Sequence, residues 1–537
     1  MTFITLSFIQ ISMNKNIPLA FVSLAVFLNV SPLYPADYYQ GGSGVFADDS
    51  TWYMDEALST PADSHPMTFE DTAILHNTNG RLWVTQIDTY VGNIISAGVS
   101  NMQFGRELLG AGPSINFQVG GKIKAQICNM DENAFLIDTA FGGAEGEATL
   151  EMAVGGIEVG AEICGNHNID RRYGKVDLTL DFSESQMKSS TVNVSGDVLI
   201  GGGLQTRFGA ELYLVLDKMS VEGIVEMKRN AGSWSNIYFG KSVVLETGGL
   251  YTESMGDYTI THSNGAGDSV SVIILRNEAG SDYQYIGAIV SESAFNESPD
   301  ASAASINICM LGDGIQRIAQ GVRDQTDITG KDAGVYSVES GKLFYDNSNL
   351  RADFRLAKLA VDGGSFGASY WDSSRAGRAY FKTAEIANGG LAYENFANHN
   401  ALETGGSDKI VIAESLSKTG DGKISVDFAD RHGNAFDLAG YEVAEDALEI
   451  DNWIEILTAG YLDGFDLESK IGDNAYGANG DFYAVNVENG FAFFRWVDLA
   501  GGGYSLQVGF AQVPEPAAVA AVFGALAFLF AARLKIK

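Results

Sequence analysis

The strongest constraint on how this chain can fold is a two-residue alternation of apolar and polar side chains. Val176, Leu178, Leu180 and Phe182 alternate with Lys175, Asp177, Thr179 and Asp181. Successive side chains of an extended strand point to opposite faces, so the pattern makes one apolar and one polar face. Ile424, Val426 and Phe428 repeat it against Lys423, Ser425 and Asp427, and Tyr504, Leu506, Val508 and Phe510 repeat it again. Helical spacing is scarce. Residues 315–322 and 444–456 are the two short-helix candidates. The body of the chain reads as all-β.

Composition agrees. The chain holds 63 Gly but 9 Pro, which suits many strands joined by Gly/Asn/Asp turns. Hydrophobic residues make up 46% and aromatics 11%, too much for a disordered acidic chain. There are 34 Lys and Arg, four of them (Lys15, Arg533, Lys535 and Lys537) at the two ends, against 68 Asp and Glu. A body this acidic repels nucleic acid and anionic lipid and attracts cations. No Pro/Ser-rich linker divides residues 37–510.

An internal echo narrows the architecture. VGGKIKAQICN from Val119 returns as VGGIEVGAEICGN from Val154, with one extra residue in the second copy. Further Gly-Gly turns beside apolar runs begin at Gly202, Gly248, Gly363, Gly389 and Gly405. Irregular repeats whose turns absorb insertions suit a right-handed parallel β-helix, a solenoid of stacked coils; a set of β-sandwiches is the alternative. The Gly/Asn-rich, irregular pattern resembles the passenger regions of autotransporter-type surface proteins. Near the end, residues 491–496 and 504–510 flank a Gly-rich turn and predict an antiparallel hairpin, the cap of the solenoid within a region of about 440–510.

A search for chemistry finds no HExxH, GxSxG or CxxC motif. His65, His76, His167, His262, His399 and His432 lack metal-ligand spacing and read as turn or surface residues. Residues 417–428 resemble the centre of an EF-hand loop around Asp421, but Ser417 stands where an Asp is needed and Phe428 where a bidentate Glu is needed. The expectation there is a hairpin turn. Asp463 and Asp466 flank a glycine in YLDGFD. With Asp421 they are the candidates for weak calcium binding; no other cofactor is implied. Cys128 and Cys164 occupy matching places in the echo, which leaves two readings open: a disulfide between neighbouring coils or a pair of buried thiols. Cys309 is expected to be buried.

Both ends carry targeting features. Residues 1–36 hold no acid and one cation, Lys15, before an apolar stretch over 17–30 and then Ser31-Pro32 and Ala36. That is the layout of a secretory signal peptide, with Met1 or Met13 as its start. At the other end, Val513, Pro514, Glu515 and Pro516 precede sixteen small and apolar residues, 517–532, and then Arg533, Lys535 and Lys537. A helix of that length spans about 24 Å, slightly short of the ~30 Å hydrocarbon core, and the terminal cations can snorkel to the interface. It predicts one transmembrane helix with a cytoplasmic basic end.

This order of motif, helix and basic end resembles the PEP-CTERM sorting signal of Gram-negative bacteria. The resemblance covers residues 513–537 alone. It implies an exosortase-type processing enzyme as partner, an inner-membrane stage, and then the cell surface or extracellular matrix. The expected function is an exported structural or adhesin-like protein without enzymatic activity. The alternative is a secreted polysaccharide-active enzyme or carbohydrate-binding protein on a β-helix scaffold. Acids with Arg or Lys on consecutive coils would favour the enzyme; a row of aromatics would favour binding.

Overall fold

The computed structural model describes residues 36–41, 43–66, 68, 70–75, 81–86, 88–96, 100–104, 114–126, 135–140, 147–160, 174–183, 187–202, 208–228, 234–254, 256, 258–262, 269–290, 305–319, 334–346, 357–370, 375–396, 407–444, 450–468, 470–472, 475–477 and 480–512. The segments read as signal peptide and sorting tail lie outside them. So do Cys128, Cys164 and Gly405.

The described residues are all-β, in one 30-stranded and one nine-stranded sheet, both paired mostly in parallel, and one two-stranded sheet of Phe436–Asp437 with Val487–Glu488. Short 3-10 turns occur at Asp49–Thr51 and Leu438–Gly440. Among the described residues no helix is long and apolar enough to cross a membrane. Both short-helix candidates are corrected. Ile315–Ala319 is a strand, and a strand, Ile454–Asp463, begins inside the second. In each, the apolar side chains pack as strand neighbours against adjacent strands.

The strands form three parallel stacks, visited by the chain in constant order. Val244–Thr247 lies in the first, Leu250–Thr252 in the second and Tyr258–His262 in the third, and Val270–Leu275 returns to the first. This recurrence is consistent with a β-solenoid. Inward side chains stack in register from coil to coil. In the first stack, Phe117 pairs with Met152, then Val192, Met219, Leu245, Ile273 and Ile308, all buried. In the third, Leu82, Met102, Ile137, Leu180, Leu214 and Phe239 do the same. Each fully buried side chain of this kind contributes about 1.5–3 kcal/mol, so the ladders are the main cohesive term.

Glycine is forced at the corner between the first and second stacks. A Cβ on Gly155 would lie 2.5 Å from the Gly121 carbonyl oxygen, and one on Gly196 would lie 2.4 Å from that of Gly155. One coil's corner rests directly on the backbone of the last. The echoed Gly-Gly pairs sit here, and the register differs locally between the two copies. Val154 pairs with Val119 and Gly156 with Lys122, so at the corner itself the first copy has one residue more, at Gly120-Gly121; the stretch that makes the second copy longer up to its cysteine lies outside the described residues. The EF-hand-like segment is also a corner and not a hairpin. Residues 416–418 and Ile424–Asp427 do not pair with each other; each pairs in parallel with Thr383–Ala392.

The nine-stranded third stack ends at Ala288–Val290. Beyond it, Arg378–Phe381 and then residues 409–412 and 457–459 form a parallel series that belongs to the large sheet. The expected hairpin is present: Gly490–Asp498 pairs antiparallel with Tyr504–Gln512, which pairs antiparallel with Ile454–Asp463. At the other end Trp52 is buried against Tyr38 and Phe46 and donates from Nε1 to the Phe46 carbonyl at 2.9 Å.

Candidate functional site

Two polar clusters stand out from the ladders. The first lies on the outward face of the third stack. Alternation that sends Val176, Leu178 and Leu180 inward sends Asp177 and Thr179 outward, and the parallel register carries this across four strands. Asp177 is followed by Glu211, Asn236 and Thr259, and Thr179 by Tyr213, Tyr238 and Thr261. The Tyr213 and Tyr238 rings stack 4.6 Å apart and 15° from parallel. Glu211 accepts from Tyr213 Oη at 2.7 Å and from Trp234 Nε1 at 2.9 Å, and Asn236 Nδ2 donates to Tyr238 Oη at 2.9 Å. The Trp234 indole lies over the Cα of Gly209, where a Cβ would be 2.2 Å from the ring. Thr179, Asn236 and Thr261 are buried although they face outward, and Thr179 Oγ1, Asn236 Oδ1 and Thr261 Oγ1 lack a hydrogen-bond partner among the described residues.

The second cluster is charged and lies on the outward face of the second stack. Asp282, Arg317, Lys342 and Asp427 come from different strands of that stack. Arg317 Nε and Nη2 donate to Asp282 at 2.9 and 3.2 Å, its Nη1 pairs with Glu394, and its guanidinium sits 4.7 Å from the Phe344 ring centroid. Burial alone would lower the Arg317 pKa, but Glu394 and Asp282 outweigh it and hold the guanidinium charged. Lys342 pairs with Asp427 at 2.6 Å. Burial raises the Asp427 carboxyl, yet Lys342, the Asn486 amide and the Ala429 N–H together pull it below the usual range. Close by, Asp408 is buried and accepts from the Gly377 N–H at 2.6 Å and from Asn395 Nδ2 at 3.1 Å. Burial, with the nearby Glu394 charge, pushes its pKa up to about 7 despite these donors.

Acids and cations therefore do stand on neighbouring strands, but in mutual pairs. The Arg317 and Glu394 side chains are 5% and 2% exposed, so this pair is a clamp between strand and loop. An open concavity lies elsewhere: a depression of about 360 Å³ over the glycine corner, lined by Gln118, Asn193, Ser220 and Glu222 among others.

The other sequence candidates are placed as follows. Asp421, Asp463 and Asp466 are exposed turn or strand-end residues. Asp466 accepts from the Glu468 N–H at 3.1 Å, and no group of three His, Cys, Asp or Glu converges on a metal-sized site among the described residues. Cys309 is corrected: it is half-exposed, with Sγ 3.7 Å from Glu339, because strand alternation turns its neighbours Ile308 and Met310 inward. His262 is corrected too. It is buried at an inward position below Phe239, edge to face at 5.9 Å, and burial lowers its pKa to about 4. Val513, Pro514, Glu515, Pro516, Arg533, Lys535 and Lys537 lie outside the described residues.

Sequence reasoning missed both clusters. The alternation at 175–182 signalled an outward Asp177 and Thr179, but their neighbours on the next strands required the register. No local signal marks Arg317 as the partner of Glu394, which lies 77 residues away. No family model matches the chain, and neither a curated protein nor a solved structure matches it.

Proposed function

We propose that the chain is an exported cell-surface or extracellular-matrix protein, structural or adhesin-like. Its body is a right-handed parallel β-helix closed by the 490–512 hairpin. Residues 513–537 are a PEP-CTERM-type sorting tail, anchored in the inner membrane through 517–532 until an exosortase-type enzyme processes it. One observation carries the reading: the last strand, Tyr504–Gln512, ends directly before the motif Val513-Pro514-Glu515-Pro516. A sorting signal needs to lie beside a folded body, and in sequence the motif follows the hairpin strand directly. The pairing of Arg317 and Lys342 with carboxylates supports a structural use of those charges.

Deleting 513–537 tests the proposal. The truncated chain should move from the membrane fraction to periplasm or medium, and unchanged fractionation would overturn the reading. A second reading, carbohydrate binding, is favoured by the outward Tyr213, Tyr238 and Trp234 about Glu211.

A further inference from the structure

We infer that Lys342, Asp427 and Asn486 form an autocatalytic cross-linking site, at which the Lys342 amine displaces ammonia from the Asn486 side-chain amide. One carboxylate holds both reactants. Asp427 Oδ2 accepts from Lys342 Nζ at 2.6 Å, and its Oδ1 accepts from Asn486 Nδ2 at 2.6 Å. The Ala429 N–H donates to Oδ1 at 2.9 Å and fixes the carboxylate from the backbone. Aminolysis of an amide needs a nucleophilic amine, a carbonyl carbon bearing a nitrogen leaving group, and a proton carrier between them. All three are present here.

Register assembles the site. Lys342 pairs with Ser365, Ser365 with Gly390 and Gly390 with Ser425, and Asp427 lies two residues beyond Ser425 on the same outward face. The intervening side chains are a hydroxymethyl group and a hydrogen, which leave the path of the lysine stem open. Asp427 pairs with Val485, and Asn486 follows with φ 57°, a left-handed backbone that asparagine tolerates. Phe344, two residues from Lys342 on its face, is buried, and Asp427 is 6% exposed. Such surroundings favour amine and acid over the separated charges. Both reactants belong to the chain, so the site needs no opening to solvent.

The step balances within the chain. A proton passes from the Lys342 ammonium to Asp427 Oδ2. The neutral Nζ attacks Asn486 Cγ, the Nζ–Cγ bond forms and the Cγ–Nδ2 bond breaks. Nζ gives a second proton to the departing nitrogen through the same carboxyl. Ammonia leaves and takes the first proton as ammonium, which restores the Asp427 carboxylate. No oxidant or cofactor enters. Amides react slowly with amines in solution, but well-aligned intramolecular groups reach effective molarities of about 10⁵–10⁸ M. The bond would join the strand Lys342–Asp346 to the end of Phe482–Val485, beside the 490–512 hairpin.

This goes beyond the surface-protein reading and does not rest on it, because the bond needs only a folded chain. The purified full chain is held until its mass is constant, then unfolded, digested with trypsin and mapped by tandem mass spectrometry. The peptide carrying Lys342, uncut after that lysine, should be joined to the peptide carrying Asn486. The joined species should be lighter than the sum of the two by about 17 Da, one ammonia. Asp427→Asn keeps the shape but cannot carry the proton, and should leave the peptides separate. Lys342→Arg keeps the charge but lacks a nucleophilic amine. It should fold, with the circular dichroism of the parent, and stay unlinked. Asn486→Ala should stay unlinked as well. Recovery of the two peptides unlinked from the parent overturns the proposal and leaves an ordinary ion pair. A link that joins other residues, or that persists in Asp427→Asn, also overturns it.

Discussion

The stacks before and after Val290 solve the same packing problem differently. Before it, three stacks carry ladders of buried Phe, Met, Leu, Ile and Val; ion pairs link neighbouring strands at the surface, as Glu158 does with Lys124 at 3.1 Å, and the buried carboxylate of Glu211 is held by the neutral donors Tyr213 and Trp234. After it, the nine-stranded stack has ended, and a cation is buried with its partner, Arg317 with Glu394, while Asp408 is buried among backbone and amide donors. Where every coil repeats the one below, register and apolar burial suffice. Where the sheets are rearranged and loops must be held against a strand face, specific pairs locate them. The first arrangement tolerates loss of any single contact; the second depends on a few.

The largest effect that could break this contrast is at Arg317. Arg317→Met leaves Glu394 buried without its counter-charge and should cost about 3–5 kcal/mol. The double variant Arg317→Met/Glu394→Met should recover most of that, since the pair as a whole repays little beyond its own desolvation. Thermal unfolding of the parent, the single variants and the double completes the cycle. A single variant as stable as the parent would mean that the second half is as redundant as the first.

A pH titration sharpens the contrast, because each half has a buried group that burial shifts within the acid-to-neutral range, and the signs oppose. Asp408 has its folded pKa raised to about 7. Its contribution to stability is full below about pH 4 and is lost as pH rises to about 7, a change of about 4 kcal/mol. His262 has its folded pKa lowered to about 4. Its contribution is present above about pH 6.5 and is lost as pH falls through about 4, a change of about 3 kcal/mol. Between pH 4 and 6.5 the two nearly offset. Asp408→Asn should therefore expose a loss of stability on acidification, and His262→Leu a loss on neutralisation. Melting temperatures across pH 4–8 that ran parallel in all three proteins would remove both assignments.

The corner glycines give the next effect. A Cβ at Gly155 meets two backbone carbonyl oxygens, at 2.5 and 2.6 Å, and neither can rotate away. Gly155→Ala should cost about 1–3 kcal/mol through forced backbone shifts. Gly422, on the turn between residue 418 and Ile424, has nothing within 4 Å of its Cβ position. Gly422→Ala should be near neutral. Equal stability of the two variants would show that the corner column is permissive.

These cases also show how far the residues announced the fold. Alternation at 175–182 and 504–510 gave strands, and the Gly-Gly pairs gave turns, because both signals are local. The coil length did not emerge, since turns absorb insertions freely: Tyr336 pairs with Leu359, but Leu416 with Leu462, twice as far along the chain. Cys309 and His262 were assigned to the wrong side because one residue of register reverses a side chain's face. The outward ladder was legible only in its first strand. Its chemistry arises from residues on four strands, which register alone brings together.

The smallest expected effect concerns the surface pairs that link neighbouring coils. Glu158 is bridged by Lys122 and Lys124 from the coil before it, and Glu246 by Lys218 and Arg276 from the coils on either side. With 68 acids against 34 cations, cations are the scarce partner, and placing them between coils relieves repulsion across a strand spacing of about 4.8 Å. Even so, these side chains reach solvent, where an ion pair is typically worth about 0.2–1 kcal/mol and is screened by salt. Burial raises the Glu158 carboxyl, and the two ammonium groups more than offset that, so it stays ionised through the neutral range. Lys124→Met should lower stability by about 0.5 kcal/mol in dilute buffer, and the difference should shrink in 0.5 M sodium chloride, at an ionic strength of about 0.5 M. A loss as large as that of Arg317→Met, or one insensitive to salt, would show that the first half also rests on individual charge pairs and that its ladders are not sufficient.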